Sequence, residues 1–564
     1  MKTIRPYAPP VATTGIDLRL DRNEGRAPRQ FSPPAPAVSD LSHYPTLAQL
    51  AKQAADRFGV DPESVLVTAG GDDALLRLCL AASGPGARAL IAAPTFEMIP
   101  RYAQLAGLEL DQVAWPSGAF PTDEFLGAAR QDTRLAFVVS PNNPTGAVAT
   151  LSDLERIAYA FAERNPGATV VLDAAYGEFA AQDLTPAALA HDNVIVVRTL
   201  SKAWGLAGLR VGYALGSPDR IARLSAAGNP FPVSVASATV ALARLSSGRA
   251  DVEDYVAQAK LESERLADLL DELGAESARP AQANFVLARG LDSLRLRDDL
   301  GALGIGIRAF PDREGLEDAV RISVPGDPAL FARLERALRT SLRPQALLFD
   351  LDGVLADVSG SYRAAIVGTA REFGVELEAR EISDAKALGN ANDDWALTHK
   401  LLTARGISVS LAEVTERFER LYQGSDDVPG LYERERALLG GELLGKLAER
   451  FRLAIVTGRP RADALGFLER FSLTEHFEVV VTREDAPLKP DPAPVQLALE
   501  RLGVQAAWML GDTPDDLLAA RQAGVLPLGV LAPGCDPIRE RDVLQSAGAA
   551  RVLDRTEDLM PLLP

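Results

Sequence analysis

Lysine is scarce in this sequence: only eight of the 59 basic residues are Lys, so each can be weighed for chemistry. Lys202 lies in VIVVRTLSKAWGLAGLRVGY, just after a buried apolar run and eight residues before Arg210. A lysine fixed and desolvated in such a place has a lowered amine pKa and can attack an aldehyde to form a Schiff base. Lys2 is terminal, and Lys52 and Lys260 lie in helical, solvent-facing patterns, which leaves Lys202 as the candidate of the first half. Upstream, TVVLDAAY sets Asp173 at a strand end with Tyr176 three residues on. A carboxylate on a heteroaromatic ring nitrogen keeps it protonated as an electron sink, and a phenol beside a ring oxygen tunes an imine. Asn143 in SPNNPTG can donate to that same oxygen, while TAGGDDALL places Gly70, Gly71 and Asp72 at a helix start whose free N–H groups suit a phosphate.

Two further sets of residues follow. Arg308 in GIGIRAF and Arg321 in AVRISVPG stand thirteen residues apart, and paired guanidiniums make charge-assisted forks for phosphate or carboxylate. Arg321 would equally bind the α-carboxylate of an ordinary amino acid. In the second half, LLFDLDGVLAD ends an apolar run with Asp350 and Asp352, two residues apart and so on one side of an extended chain. One carboxylate as nucleophile and one as proton donor to the leaving alcohol split phosphate-ester hydrolysis into two steps. Thr457 in AIVTGRP, Lys489 in APLKPDP and Asp512 with Asp516 in MLGDTPDD stand at later strand ends. Their hard oxygen atoms suit Mg²⁺, and the lysine offsets phosphoryl charge.

These residues need elements to hold them. Short β-type runs at Val65–Val67, Leu90–Ala92, Leu135–Val139, Val170–Leu172, Val194–Val197 and Val211–Leu215 alternate with helical patterns, which predicts a mostly parallel sheet covered by helices. The chemistry should lie in loops beyond the carboxyl ends of those strands. A helical stretch from about Pro328 to Leu342 is followed by Arg343-Pro344-Gln345 and a new strand, Ala346–Phe349, so the boundary falls between residues 343 and 344. Strands Leu453–Val456, Val479–Val481 and Trp508–Leu510 repeat the arrangement, and a helical insertion at about 361–434 would cap the second site. Within it, Asp393, Asp394 and His399 read as a solvated helix start.

At 564 residues the chain exceeds one hydrophobic core. Its 77 acidic against 59 basic residues argue against nucleic acid or anionic lipid as partner. No apolar run is long enough to span a membrane and Met1 to Pro10 has no signal-peptide core, so a cytoplasmic enzyme is expected. Cys79 and Cys535 cannot form a disulfide framework, and the four histidines have no metal-ligand spacing, which argues against a zinc hydrolase.

On the motifs around Lys202, Asp173, Asn143 and Gly71, residues 5 to 324 resemble the fold type I aminotransferases, within them the histidinol-phosphate aminotransferases. The resemblance implies a large domain with a mostly parallel sheet, a small C-terminal α/β domain and pyridoxal 5'-phosphate. It implies that Lys202 carries the cofactor aldehyde, Asp173 binds the pyridine nitrogen, and Asn143 and Tyr176 contact the ring oxygen. Gly71, Asp72, Thr199, Ser201 and Arg210 would surround the phosphate, and Phe96 in APTFEM would stack on the ring where many members carry Tyr. Tyr44 in a Y-P pair would reach the neighbouring subunit's cofactor, implying a homodimer. Arg308, Arg321 and Tyr7 in IRPY would bind substrate. LDRNEG keeps Asn23 and Glu24 of the family's N-terminal element and then departs from it.

On Asp350, Asp352, Thr457, Lys489 and Asp512, residues 346 to 559 resemble the haloacid-dehalogenase superfamily: a Rossmann-like domain with a helical cap and bound Mg²⁺. Metal ligands would come from Asp350, Asp352, Asp512 and Asp516, with Thr457 and Lys489 on the phosphate. Asp352, generally lacking in dehalogenases, implies a phosphatase or phosphomutase. The expectation is a two-enzyme chain of histidine biosynthesis that transaminates with glutamate and then removes a phosphate. An aminotransferase for aromatic or threonine-phosphate-type substrates, joined to a general phosphatase or a regulatory module, is the alternative.

Overall fold

In the computed structural model the described residues are 15–387, 389, 393–425 and 427–564. They form two compact units with interleaved segments. One holds residues 19–294 and 307–332, the other 15–18, 295–306 and the chain from 333 onward. Sequence order suggests a single crossing at 343/344; compactness instead assigns segments 295–306 and 333–343 to the second unit, because a unit is defined by contacts and not by chain order.

The first unit is built on a seven-stranded sheet: β1 (Val65–Thr68), β2 (Arg88–Ala93), β3 (Glu109–Ala114), β4 (Thr133–Val139), β5 (Thr169–Asp173), β6 (Val194–Thr199) and β7 (Gly212–Leu215). Their spatial order is β1-β7-β6-β5-β4-β2-β3. All neighbours run parallel except β7, which is antiparallel to both β6 and β1. Strands β5, β6 and β7 are apolar almost throughout and largely buried, as expected where helices cover both faces. The edge strand β3, sequence ELDQVA, was not legible as a strand because only part of it is apolar and none of it is fully buried. A small antiparallel sheet follows: β8 (Glu276–Ser277), β9 (Phe285–Arg289), β10 (Arg308–Ala309) and β11 (Val320–Ser323), in the order β10-β11-β9-β8. Its register sets Arg308 opposite Arg321.

The second unit carries a six-stranded parallel sheet: β12 (Ala346–Phe349), β13 (Arg452–Val456), β14 (Val479–Val481), β15 (Ala507–Gly511), β16 (Leu526–Val530) and β17 (Arg551–Leu553). The order β14-β13-β12-β15-β16-β17 puts β12 between the strands that end in Thr457 and Asp512. Among the described residues the insertion holds four α-helices, Tyr362–Glu372, Ala379–Ala387, Asp394–Ala404 and Leu411–Gln423, then a short hairpin of Gly424–Ser425 with Val428–Pro429 and a 3-10 turn, Leu431–Arg434. Among the described residues no helix is long and apolar enough to cross a membrane.

Candidate active sites

The first site is a cavity of about 430 Å³ beyond the carboxyl ends of β4, β5 and β6. Asp173 is the last residue of β5 and is 4% exposed. Burial raises its pKa to about 6, against a backbone N–H bond from Ala175 and the charge of Lys202, which favour the anion. A carboxylate desolvated this way calls for a cationic partner, which a protonated ring nitrogen supplies. Lys202 follows β6 in a tight turn; its Nζ lies 3.3 Å from the carbonyl oxygen of Arg22 and 5.5 Å from the centre of the Tyr176 ring. The Tyr176 hydroxyl accepts a 3.0 Å hydrogen bond from Asn23. Asn143 Oδ1 accepts from Arg321 at 2.6 Å, which leaves its Nδ2 as the donor toward the cavity.

The phosphate end is formed where the helix Gly70–Ala81 begins. The N-cap residue Ala69 has no capping side chain, and its own N–H donates to Asp73 at 3.0 Å; Gly71 and Asp72 of the first turn line the cavity, where helix-start N–H groups suit a phosphate. Gly70 has φ +77°, and a β-carbon on Gly212 would meet the Gly70 carbonyl carbon at 2.7 Å, so two glycines let β7 close on the helix start. Asp72 accepts from Arg210 at 2.9 Å and from Tyr102 at 3.1 Å. Thr199 and Ser201 share a 2.9 Å hydrogen bond, and Arg210 reaches Ser201 at 3.3 Å. Gly71 and Phe96 line the same cavity.

Arg308 and Arg321 enter from the small sheet. Burial pulls the Arg321 pKa down to about 10. Arg308 lies 3.7 Å from Glu97. Glu97, Phe310 and Arg313 also line the cavity; Glu97 and Phe310 lie inside the motifs APTFEM and GIGIRAF, where only Phe96 and Arg308 were singled out, and Arg313 lies in a loop without periodicity. Tyr44 is not brought to its own chain's cavity: it is 76% exposed and stacks on Phe231 at 4.3 Å. Tyr7 lies outside the described residues.

The second site lies at the carboxyl ends of β12, β13 and β15. Asp350, Asp512 and Asp516 offer oxygens all within 4.8 Å of one another. Burial, opposed by Lys489 and reinforced by Asp516 and Asp352, pushes the Asp350 carboxyl up; burial with Asp516 and Asp350 pushes Asp512 well up. Three carboxyl groups gathered this closely, with Lys489 at Asp350 and Asp516 and with Lys386 and Arg363 acting on Asp512, offer the hard oxygens that fit a divalent cation. Lys489 Nζ donates to Asp350 at 2.7 Å and to the carbonyl of Val456 at 2.9 Å, and also pairs with Asp516. Thr457, 5% exposed, follows Val456 and accepts from the Arg459 N–H at 3.1 Å.

Asp352 is placed differently from the other three aspartates. Its side chain is outside the three-carboxylate cluster, because Arg459 holds its Oδ1 through Nε at 2.7 Å and also pairs with buried Glu435 at 3.0 Å. The helix start at Asp393 also differs from its solvated reading. Asp393 caps Ala396 and pairs with Arg483 at 2.7 Å, and Asp394 lines a small pocket with Asp352, Tyr362 and Trp395. His399 is turned aside to the Val409 carbonyl, 3.0 Å away.

Residues 35–338 match the family model of the class I and II aminotransferases, more than half of the chain. The chain belongs to that family. Residues 347–530 match the haloacid dehalogenase-like hydrolases, so an aminotransferase and a hydrolase share one polypeptide. The aminotransferase region is 36% identical over 299 residues to an aromatic amino acid aminotransferase of Corynebacterium glutamicum, covering 50% of this chain and 84% of that one. It is 31% identical over 346 residues to histidinol-phosphate aminotransferase 1 of Thiobacillus denitrificans, covering 57% and 88%. An imidazoleglycerol-phosphate dehydratase of Phytophthora nicotianae is 44% identical over 240 residues; the match covers 39% of this chain and only about half, 53%, of that relative. Among solved structures, histidinol-phosphate aminotransferase from Sinorhizobium meliloti in complex with pyridoxal-5'-phosphate superposes with TM-score 0.50 at 25% identity, over 57% of this chain and 91% of that one. Pyridoxal phosphate is accordingly the cofactor of the aminotransferase region.

Proposed function

We propose that the aminotransferase moves an amino group between glutamate and a phosphorylated imidazole ketone, making histidinol phosphate, and that the hydrolase is a Mg²⁺-dependent phosphatase. The observation that carries the first part is the convergence of Arg308 and Arg321 on the cavity that holds Lys202 and Asp173. Pyridoxal phosphate would rest between Phe96 and Asp173 with its phosphate at Gly71, Asp72, Thr199, Ser201 and Arg210, and it supplies the electron sink for deprotonation at the amino carbon. Lys202 Nζ would hold the cofactor through its aldehyde carbon and would move the proton at the amino carbon of the substrate. Asp173 keeps the ring nitrogen charged, and Tyr176 and Asn143 hold the ring oxygen. The relatives named for histidinol phosphate and imidazoleglycerol phosphate support this substrate class. An aromatic amino acid substrate is the second reading, favoured by the Corynebacterium relative and by apolar Phe96 and Phe310 along the cavity.

In the hydrolase, Asp350 would attack phosphorus while Asp352, entering the step protonated, gives its proton to the leaving alkoxide; water would then attack the aspartyl phosphate, returning a proton to the Asp352 carboxylate that Arg459 holds and freeing phosphate and Asp350. Asp350, Asp512 and Asp516 would hold Mg²⁺, which supplies charge neutralisation at the phosphoryl oxygens. The exposed Tyr44–Phe231 stack suits a subunit contact, so the reading includes a homodimer, with the cytoplasm as its compartment. The test is to supply the full chain with histidinol phosphate and 2-oxoglutarate, and separately with histidinol phosphate and Mg²⁺. Glutamate formation and phosphate release support the two halves of the reading; phenylalanine turnover without histidinol phosphate turnover would replace the first half by the aromatic one.

A further inference from the structure

We propose that Arg313 is the third guanidinium of a dianion site in the aminotransferase cavity, and that it selects substrates carrying two negative charges. This rests on the aminotransferase reading above. Arg313 belongs to the loop Pro311–Glu314 between β10 and β11, and it lines the same cavity as Lys202 and Arg321. One end of its guanidinium is anchored, donating from Nη2 to the carbonyl oxygen of Thr95, next to Phe96 and Glu97.

Phe310 brings the three cations together. Its ring is 5% exposed, and the guanidinium carbons of Arg308, Arg321 and Arg313 lie 5.5, 5.8 and 5.9 Å from its centre. A cation near an aromatic face gains about 0.5–2 kcal/mol, which offsets part of the repulsion among three like charges but leaves their sum in place. The acidic group that faces both Arg321 and Arg313 is Glu97, and it is also the carboxylate 3.7 Å from Arg308. Around Phe310 the three guanidiniums and this one carboxylate leave two positive charges in local excess. A phosphate monoester carries about −1.5 to −2 at pH 7 and so matches that excess. Glutamate, with two carboxylates, matches it too. Phenylalanine has one carboxylate and an uncharged ring, and would leave a desolvated guanidinium uncompensated. Glu97 lies 3.7 Å from Arg308, and a bound dianion would compete for that guanidinium.

The experiment uses the full-length, cofactor-loaded protein and its Arg313→Gln and Arg313→Lys variants. Half-reaction kinetics are measured with histidinol phosphate, glutamate and phenylalanine, together with calorimetric binding of two unreactive acids, glutarate and 3-phenylpropionate. For Arg313→Gln we expect KM for the dianions and the Kd of glutarate to rise roughly tenfold or more, as expected for losing a hydrogen bond to a charged group. Phenylalanine and 3-phenylpropionate should change by less than about threefold by the same reasoning, and Arg313→Lys should recover part of the loss. Equal losses for monoanions and dianions, or no loss with either, overturns the assignment of Arg313. Should the unaltered protein turn over phenylalanine but not histidinol phosphate, the substrate reading itself fails; the glutarate and 3-phenylpropionate affinities of the Arg313→Gln variant still decide the role of Arg313.

Discussion

A β-carbon built on Gly25 would lie 1.7 Å from the carbonyl oxygen of Lys202. The backbone of the segment Asn23–Arg26 thus lies directly on the turn that carries the reactive lysine, and a β-carbon on Gly205 would likewise meet the Arg26 carbonyl at 2.2 Å. A carbonyl oxygen cannot yield as a flexible side chain can, so one of the two strands of chain has to move.

Gly25→Ala is therefore expected to displace Lys202. Transamination should fall by about two orders of magnitude, since a shift near 1 Å at a reacting group costs that much. Stability should fall by about 1–3 kcal/mol from overpacking, while phosphate-ester hydrolysis stays intact. Unchanged transamination in a stably folded variant would count against this contact.

Asp173→Asn should stabilise the cofactor-free protein and abolish transamination. The folded-state pKa of Asp173 is raised to about 6 from its ordinary 3.8, so its contribution to stability is complete below pH 3.8 and is lost as pH rises through 6. Two units correspond to about 3 kcal/mol, taken as an upper figure. Asn can still accept the Ala175 hydrogen bond. Denaturation of the two apo proteins should then show the variant more stable at pH 8 and the difference vanishing near pH 4; a constant difference across that range would refute the assignment.

Asp299, fully buried, pairs with Arg551 and accepts from Ser341 at 2.7 Å, and the Trp508 indole donates to the Thr340 carbonyl at 2.7 Å. All of these residues belong to the second unit. The hydrolase core thus includes residues that precede β12. Asp299→Ala leaves Arg551 without its partner and should cost roughly 3 kcal/mol, seen as a lower melting temperature of the unit that hydrolyses phosphate esters. A fragment begun at residue 344 should be less stable than the same unit in the whole chain. Equal urea midpoints for the two would show that residues 295–306 and 333–343 are dispensable.

Asp350→Asn should lower phosphate-ester hydrolysis by roughly three orders of magnitude or more, as for loss of a nucleophile. Chelation of divalent metal should have the same selective effect, and both treatments should leave transamination untouched. Lys202→Ala is the mirror case: the visible colour of lysine-bound cofactor and transamination are lost and hydrolysis persists. A metal-free protein hydrolysing at full rate would exclude the carboxylate cluster as a metal site.

Much of this was present in the order of residues. Buried strands such as VIVVRT and ALLF announce themselves because a strand covered on both faces must be apolar throughout, and a polar residue that ends such a run must face a loop. Asp173, Asp350, Asp512 and Lys202 stand at or just beyond the ends of such runs, whereas Lys489, in the loop after Val481, was read from the motif APLKPDP. Three-dimensional packing decided the rest. Whether Asp352 ligates a metal or meets a guanidinium depends on Arg459, which is 107 residues away. The antiparallel β7, the three arginines around Phe310 and the pressing of Gly25 on Lys202 likewise depend on residues far apart in the chain. No local periodicity records such contacts, because they exist only once the elements between them have folded and brought distant backbone and charge into the same few ångströms.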